Sequence, residues 1–226
     1  KYIVRPISIY ITKLALLFGV SANTITYLGI FIVLSGSLLL TFGDQCIRMI
    51  AGSTFFLFTL LDAVDGEVAR YHRYKGVKSN EYLGKYHDAF AHMVSYNIAL
   101  FSLGLGIYLI TGQMLYLILG YVACMARTRL PHIASYDVII AYLVEVGIAK
   151  EKLVNAFVRS EKQIPLLKQL TIEIFIWPFP MGLILPVILI LEYFLGTYSI
   201  SRIFLISYTL IAVLVTFRTW YKQISF

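Results

Sequence analysis

Residues 61–92 read LDAVDGEVARYHRYKGVKSNEYLGKYHDAFAH, and they place Asp62, Asp65, Asp88, Glu67 and Arg70 beside long apolar runs. On a helix, Asp62, Asp65, Gly66 and Ala69 stand at i, i+3, i+4 and i+7, which is one face. Gly84, Asp88 and His92 repeat the device at i, i+4 and i+8. If the two stripes face each other, three carboxylates and an imidazole converge in one pocket. Gly66, Ala69 and Gly84 carry little bulk where a ligand or a second backbone would have to come close.

The flanking composition decides the setting. Of 226 residues, 59% are hydrophobic and 14% charged, and the mean hydropathy is +0.80. A soluble domain is charged at about 25% of its positions, so the pattern is that of an all-α integral membrane protein. Stretches long enough to cross a bilayer as helices, roughly 20 residues each, fall at Thr24 to Phe42, Ile47 to Arg70, Tyr86 to Ile110, Gln113 to Pro131, Ile174 to Leu195 and Tyr198 to Arg218. Six spans are therefore expected.

Lys and Arg positions orient them, because cytoplasmic loops are enriched in these residues. With the N-terminus inside, every Lys and Arg except Arg48 and Arg202 falls on the inner side. Both termini are thus expected in the cytoplasm, with the acidic motif at the inner face. The net charge of +7 then favours anionic lipid and phosphate groups there. Nucleic acid is excluded as a partner, since the basic residues follow the membrane topology and form no single soluble face.

Ahead of the first span, Ile7, Tyr10, Ile11, Leu14, Leu17 and Phe18 recur at helical spacing after Pro6, with Ser8, Thr12 and Lys13 on the other side. This predicts an interfacial amphipathic helix over 6–18, ended by Gly19, with Ser21 capping the next helix. Residues 138–172 mix apolar and basic side chains and read as a cytoplasmic amphipathic linker, and Pro178, Pro180 and Pro186 predict a broken or kinked fifth span. The whole of 1–226 reads as one membrane domain. Cys46 and Cys124 lie far apart along the chain and suggest neither a disulfide framework nor a thiolate metal site.

Carboxylates at membrane depth cost about 2.5 to 3.5 kcal/mol each, so three on facing stripes need compensation. A cation between them supplies it, and an all-oxygen set without thiolates favours Mg²⁺ or Mn²⁺, whose shells are commonly completed by substrate phosphates. A buried salt-bridge network, with Asp62 or Asp65 paired to Arg70, is the other arrangement these residues allow.

The string DAVDGEVAR followed by GKYHDAFAH resembles the signature of the CDP-alcohol phosphotransferase family, D-x2-D-G-x2-A-R-x8-9-G-x3-D-x3-D. Asp62, Asp65, Gly66, Ala69, Arg70, Gly84 and Asp88 match it. Ala22, Asn23 and Thr26 stand in the register of the family's P-N-x2-T, with the proline replaced. The resemblance implies six transmembrane helices, an interfacial N-terminal helix and a homodimer. It also implies metal-dependent transfer of a substituted phosphate from a CDP-linked donor to an alcohol acceptor, with release of CMP. On that likeness one or two Mg²⁺ or Mn²⁺ ions are held by Asp62, Asp65 and Asp88. The nucleotide lies near Asn23, Thr26, Asp62, Gly66, Ala69, Arg70 and Gly84.

Two departures stand out. Thirteen residues, 71–83, separate Arg70 from Gly84 where the family has eight or nine. That longer basic, tyrosine-rich loop either overhangs the pocket or is a solvated inner-face loop. His92 occupies the place of the fourth aspartate, which in the family activates the acceptor hydroxyl. An imidazole can serve as that base, ligate a metal, or simply pack. Arg127 and Arg129 either hold an acceptor or lipid phosphate, or anchor the fourth span. A catalytically silent homologue that binds nucleotide or lipid, and a cation transporter using the aspartates as a path, are the alternatives to the enzyme.

Overall fold

The structure, a computed structural model, describes residues 4–76, 81–128 and 179–224. The expected linker at 138–172, Arg129, the side chain of Arg127 and the extreme termini lie outside the described residues. Among those described there are seven helices and no strand: α1 (Val4–Leu17), α2 (Ala22–Phe42), α3 (Gln45–Tyr74), α4 (Glu81–Thr111), α5 (Met114–Thr128), α6 (Phe179–Leu195) and α7 (Ser199–Ile224).

Local chemistry sets several of the boundaries. Gly19 takes a φ of +64°, the left-handed conformation that ends α1 and turns the chain toward α2. Ser21 then caps α2, its hydroxyl accepting from the Thr24 amide at 3.2 Å. Asp44 caps α3 in the same way through the Ile47 amide at 2.9 Å.

Four segments are long and apolar enough to cross a membrane: Ala22–Phe42, Gln45–Tyr74, Tyr86–Thr111 and Ser199–Phe217. The segments Met114–Ala126 and Gly182–Leu195 are apolar but shorter. The expected fourth and fifth spans, Gln113 to Pro131 and Ile174 to Leu195, both run into residues outside those described. Pro180 falls in the first turn of α6, where a proline is tolerated, and Pro186 sits inside the helix.

Helices α2, α3 and α4 form the centre, with α5 against α4, α6 against α3 and α7 against α5. Val33, Leu40, Phe55, Phe58, Leu100, Leu103, Leu189 and Leu205 are buried together at their junction. Helix α5 reaches α4 through a pair of glycines. A Cβ on Gly104 would stand 2.6 Å from the Tyr116 carbonyl oxygen and 2.8 Å from the Gly120 Cα. In lipid, where hydrophobic burial barely drives helix association, such close backbone approach is the main source of packing energy.

At the opposite end of α3 from the acidic motif, Arg48 is only 1% exposed. Its Nη1 donates to the Leu40 carbonyl at 2.9 Å, and its guanidinium lies 5.5 Å from the centre of the Tyr198 ring. Glu192, also buried, accepts from the amide and hydroxyl of Ser201, both at 2.6 Å. These contacts tie α2, α3, α6 and α7 together.

Helix α1 is amphipathic in sequence, yet its polar stripe is the one that faces the protein. Val4, Ser8 and Thr12 are buried, whereas Tyr10, Leu14, Leu17 and Phe18 are more than half exposed. Behind the buried stripe, Ile11, Ala15 and Leu16 pack against a second apolar cluster of Ile25, Leu61, Val64 and Val68.

The glycine pair yields a direct check. Gly104→Val should destabilise the protein by about 1 to 3 kcal/mol, because the added carbons meet backbone that cannot rotate away. Gly104→Ala should cost less, and thermal unfolding of the detergent-solubilised protein measures both.

Candidate active site

The acidic motif occupies the last four turns of α3 and the first three of α4. Because α3 continues without interruption to Tyr74, Asp62, Asp65, Gly66, Ala69 and Arg70 share one rigid helix. Helix α4 carries Gly84, Asp88 and His92 at four-residue spacing.

The two stripes do meet. His92 Nε2 lies 2.9 Å from Asp62 Oδ1 and 3.1 Å from Asp88 Oδ1, so one ring nitrogen bridges carboxylates from both helices. Asp62, Asp88 and His92 each present a ligand atom within 4.8 Å of the others. Two carboxylates and an imidazole are a donor set suited to a small divalent cation. Asp88 is the most exposed of the three, which leaves the cluster open to solvent on the α4 side.

Aromatic rings fix the imidazole. Tyr96, one turn further along α4, stacks on His92 with centroids 5.8 Å apart and planes 8° from parallel. Phe58 meets it edge-on at 6.1 Å. The far nitrogen, Nδ1, is buried and has no hydrogen-bond partner among the described residues, so Nε2 carries the polar contacts of His92 there.

Asp65 was expected beside Asp62 and Asp88 as a metal ligand, and it stands outside that group of three. Its side chain is buried, and Oδ2 accepts from the Thr26 hydroxyl at 2.6 Å. The Thr26 register on α2 thus serves the acidic motif directly, while Asn23 on the same helix is exposed. Arg70 folds back along α3, its Nη1 3.3 Å from where a Gly66 Cβ would be. The carboxylate partners of the cluster are accordingly His92 and Thr26, and the alternative network through Arg70 is not the one formed.

A Cβ on Gly84 would meet nothing within 4 Å, and at Gly66 it would meet only the Arg70 guanidinium. Among the described residues, helix packing therefore does not require glycine at 66 or 84. Tyr27 of α2 meets His87 of α4, next to Asp88 in sequence, its hydroxyl 3.2 Å from His87 Nε2.

Sequence reasoning did not single out Glu67, Phe58 or Tyr96. Glu67 receives hydrogen bonds from Ser8 at 2.9 Å and Thr12 at 2.6 Å. The one signal available was the spacing of Ser8 and Thr12, one turn apart on the polar side of α1.

Compared with known proteins, residues 19–217 match the family model for CDP-alcohol phosphatidyltransferase. No curated protein matches the chain significantly.

Thr26→Val keeps the shape of the side chain but removes the donor from a buried carboxylate, and should destabilise the protein by about 1 to 3 kcal/mol. Thr26→Ser should restore most of that, since it returns the hydroxyl. Unfolding midpoints of the two variants compared with the parent measure the difference.

Proposed function

The chain belongs to the CDP-alcohol phosphatidyltransferase family, and from that premise we propose that it transfers a substituted phosphate from a CDP-linked donor to an alcohol acceptor, releasing CMP. The observation that carries the reading is the meeting of Asp62, Asp88 and His92 across the facing ends of α3 and α4. Family motif positions that lie apart in sequence form one cluster.

Asp62 and Asp88, with Asp65 behind them, are the residues that would hold a divalent cation, Mg²⁺ or Mn²⁺. Bound there, the cation would neutralise the donor pyrophosphate and the charge that grows on the departing CMP. With an imidazole in place of a fourth carboxylate the cluster carries less negative charge, so we favour one ion over two.

The protein's own side chains would do the rest. Gly66, Ala69 and Gly84 leave the floor open for the donor phosphates. Asn23, Thr26 and Arg70 border the space assigned to the nucleotide, with Arg70 available to a phosphate as a charge-assisted donor. His92 is the proposed base: once Nε2 has released to solvent the hydrogen it shares with Asp62 and Asp88, it would accept the acceptor's hydroxyl proton, with Tyr96 and Phe58 holding the ring in place. The acceptor oxygen bonds to the phosphorus distal to cytidine as the bond from that phosphorus to the CMP oxygen breaks. Arg127 and Arg129 are proposed for an anionic acceptor or lipid phosphate.

The positive-inside distribution supports six spans, cytoplasmic termini and a site facing the cytoplasm. A role in phospholipid biosynthesis is in keeping with the family, and a homodimer is proposed by analogy with it. CDP-diacylglycerol is the favoured donor, because the basic stretch 71–83, expected as a loop but with 71–74 in α3 and 81–83 in α4, suits a polar acceptor arriving from the cytoplasm.

CMP release by the purified protein tests this reading with CDP-diacylglycerol and, separately, with soluble CDP-alcohols. Each donor is offered a pool of acceptors, with and without Mg²⁺ or Mn²⁺. Release should require the metal and fall by about 100-fold or more in Asp62→Asn and His92→Ala, the scale of losing an acid–base group. Metal-dependent CMP binding without release from any donor would instead make the chain a silent homologue.

A further inference from the structure

Glu67 lies inside the motif, between Gly66 and Val68, yet neither the cluster nor the proposed chemistry uses it. Its carboxylate turns away from Asp62 and Asp88 toward α1. There Oε1 accepts from the Ser8 hydroxyl at 2.9 Å and Oε2 from the Thr12 hydroxyl at 2.6 Å. Ser8 also donates toward the Arg5 carbonyl at 3.1 Å, so its hydroxyl is shared between the two oxygens.

Hydrophobicity alone does not explain how α1 is seated. The helix carries Ile7, Ile9, Tyr10, Leu14, Leu17 and Phe18, all exposed, and buries two hydroxyls. Apolar contact with Leu61, Val64 and Val68 is non-directional and would accept several faces of so greasy a helix. The carboxylate is directional: a partly buried Glu67 without donors would lose the desolvation energy of a charged group. Only the face that bears Ser8 and Thr12, one turn apart, presents two hydroxyls to the two carboxylate oxygens.

We infer that Glu67 is a positioning residue, a latch that fixes the rotation of α1 about its own axis. It holds the apolar stripe of α1 toward lipid and clamps the segment of α3 that carries Asp62 and Asp65. The latch sits within two residues of Asp65 along the helix, so a shift of α1 is passed to the motif through one rigid element. The effect on activity rests on the transferase reading, whereas the seating of α1 does not.

The test uses the full chain in lipid nanodiscs, with Cys46 and Cys124 replaced by serine and a nitroxide attached at Leu14→Cys. Oxygen accessibility of the label reports contact with lipid, independently of turnover. In the Glu67 parent it should be high. It should fall at least about twofold both in Glu67→Leu and in Ser8→Ala combined with Thr12→Val, where the buried donor–acceptor pairs are lost. Glu67→Gln, whose amide can still meet both hydroxyls, should restore it.

In parallel, CMP release should drop by about tenfold in kcat/KM for each broken latch, the equivalent of one charged hydrogen bond. The triple variant should be no worse than either, since both break the same contact. Unchanged label accessibility in folded Glu67→Leu, or additive losses in the triple variant, would overturn the latch. If the parent releases no CMP from any donor, the transferase reading fails while the nitroxide still decides the latch.

Discussion

Everything at the functional end of the molecule depends on how carboxylates are accommodated at the end of an apolar helix bundle. A charge near hydrocarbon must find compensation, and here it comes from a single imidazole nitrogen set between Asp62 of α3 and Asp88 of α4. Helix α2 packs on both α3 and α4, and the His92 contact joins their two stripes directly. The stacked Tyr96 and the Phe58 edge then make the position of the ring a property of the core.

Helix α3 explains why such a site can be held firmly. It is 30 residues long without interruption, and each end is secured by polar contacts that packing alone could not supply. At one end, Arg48 is buried against the Leu40 carbonyl and the Tyr198 ring. At the other, Asp65 and Glu67 reach to opposite sides, to Thr26 of α2 and to Ser8 and Thr12 of α1. Breaking a buried polar contact of this kind is costly, because the partner left behind stays desolvated. The motif helix is thus braced at both ends by directional bonds while its middle relies on shape.

Much of this was legible in the residues themselves. The spacing of Asp62, Asp65, Asp88 and His92 placed them on two helix faces, and periodicity together with Gly19 and Ser21 marked where α1 ends and α2 begins. Those signals are local, arising within one or two turns. What was not legible depends on partners far apart in sequence. The buried hydrogen bond of Asp65 depends on Thr26, 39 residues away, and the hydrogen bonds of α1 on Glu67, 55 residues from Thr12. Hydropathy marked the apolar stripe of α1 for lipid, but it could not show that the opposite, polar side meets α3 rather than water. Arg48 offered only its exceptional place outside the positive-inside pattern.

The choice of partners also has an electrostatic consequence. A lysine or arginine paired to Asp65 or Glu67 would satisfy either carboxylate and cancel its charge at once. Thr26, Ser8 and Thr12 satisfy lone pairs by donating hydroxyl hydrogens and cancel nothing. Arg70, the nearest guanidinium on the same helix, lies along Gly66 instead of capping Asp62 or Asp65. At Asp65 and Glu67 this end of the protein therefore meets the demand for hydrogen bonds with neutral donors. Among the described residues, His92 is the cationic candidate admitted to the cluster.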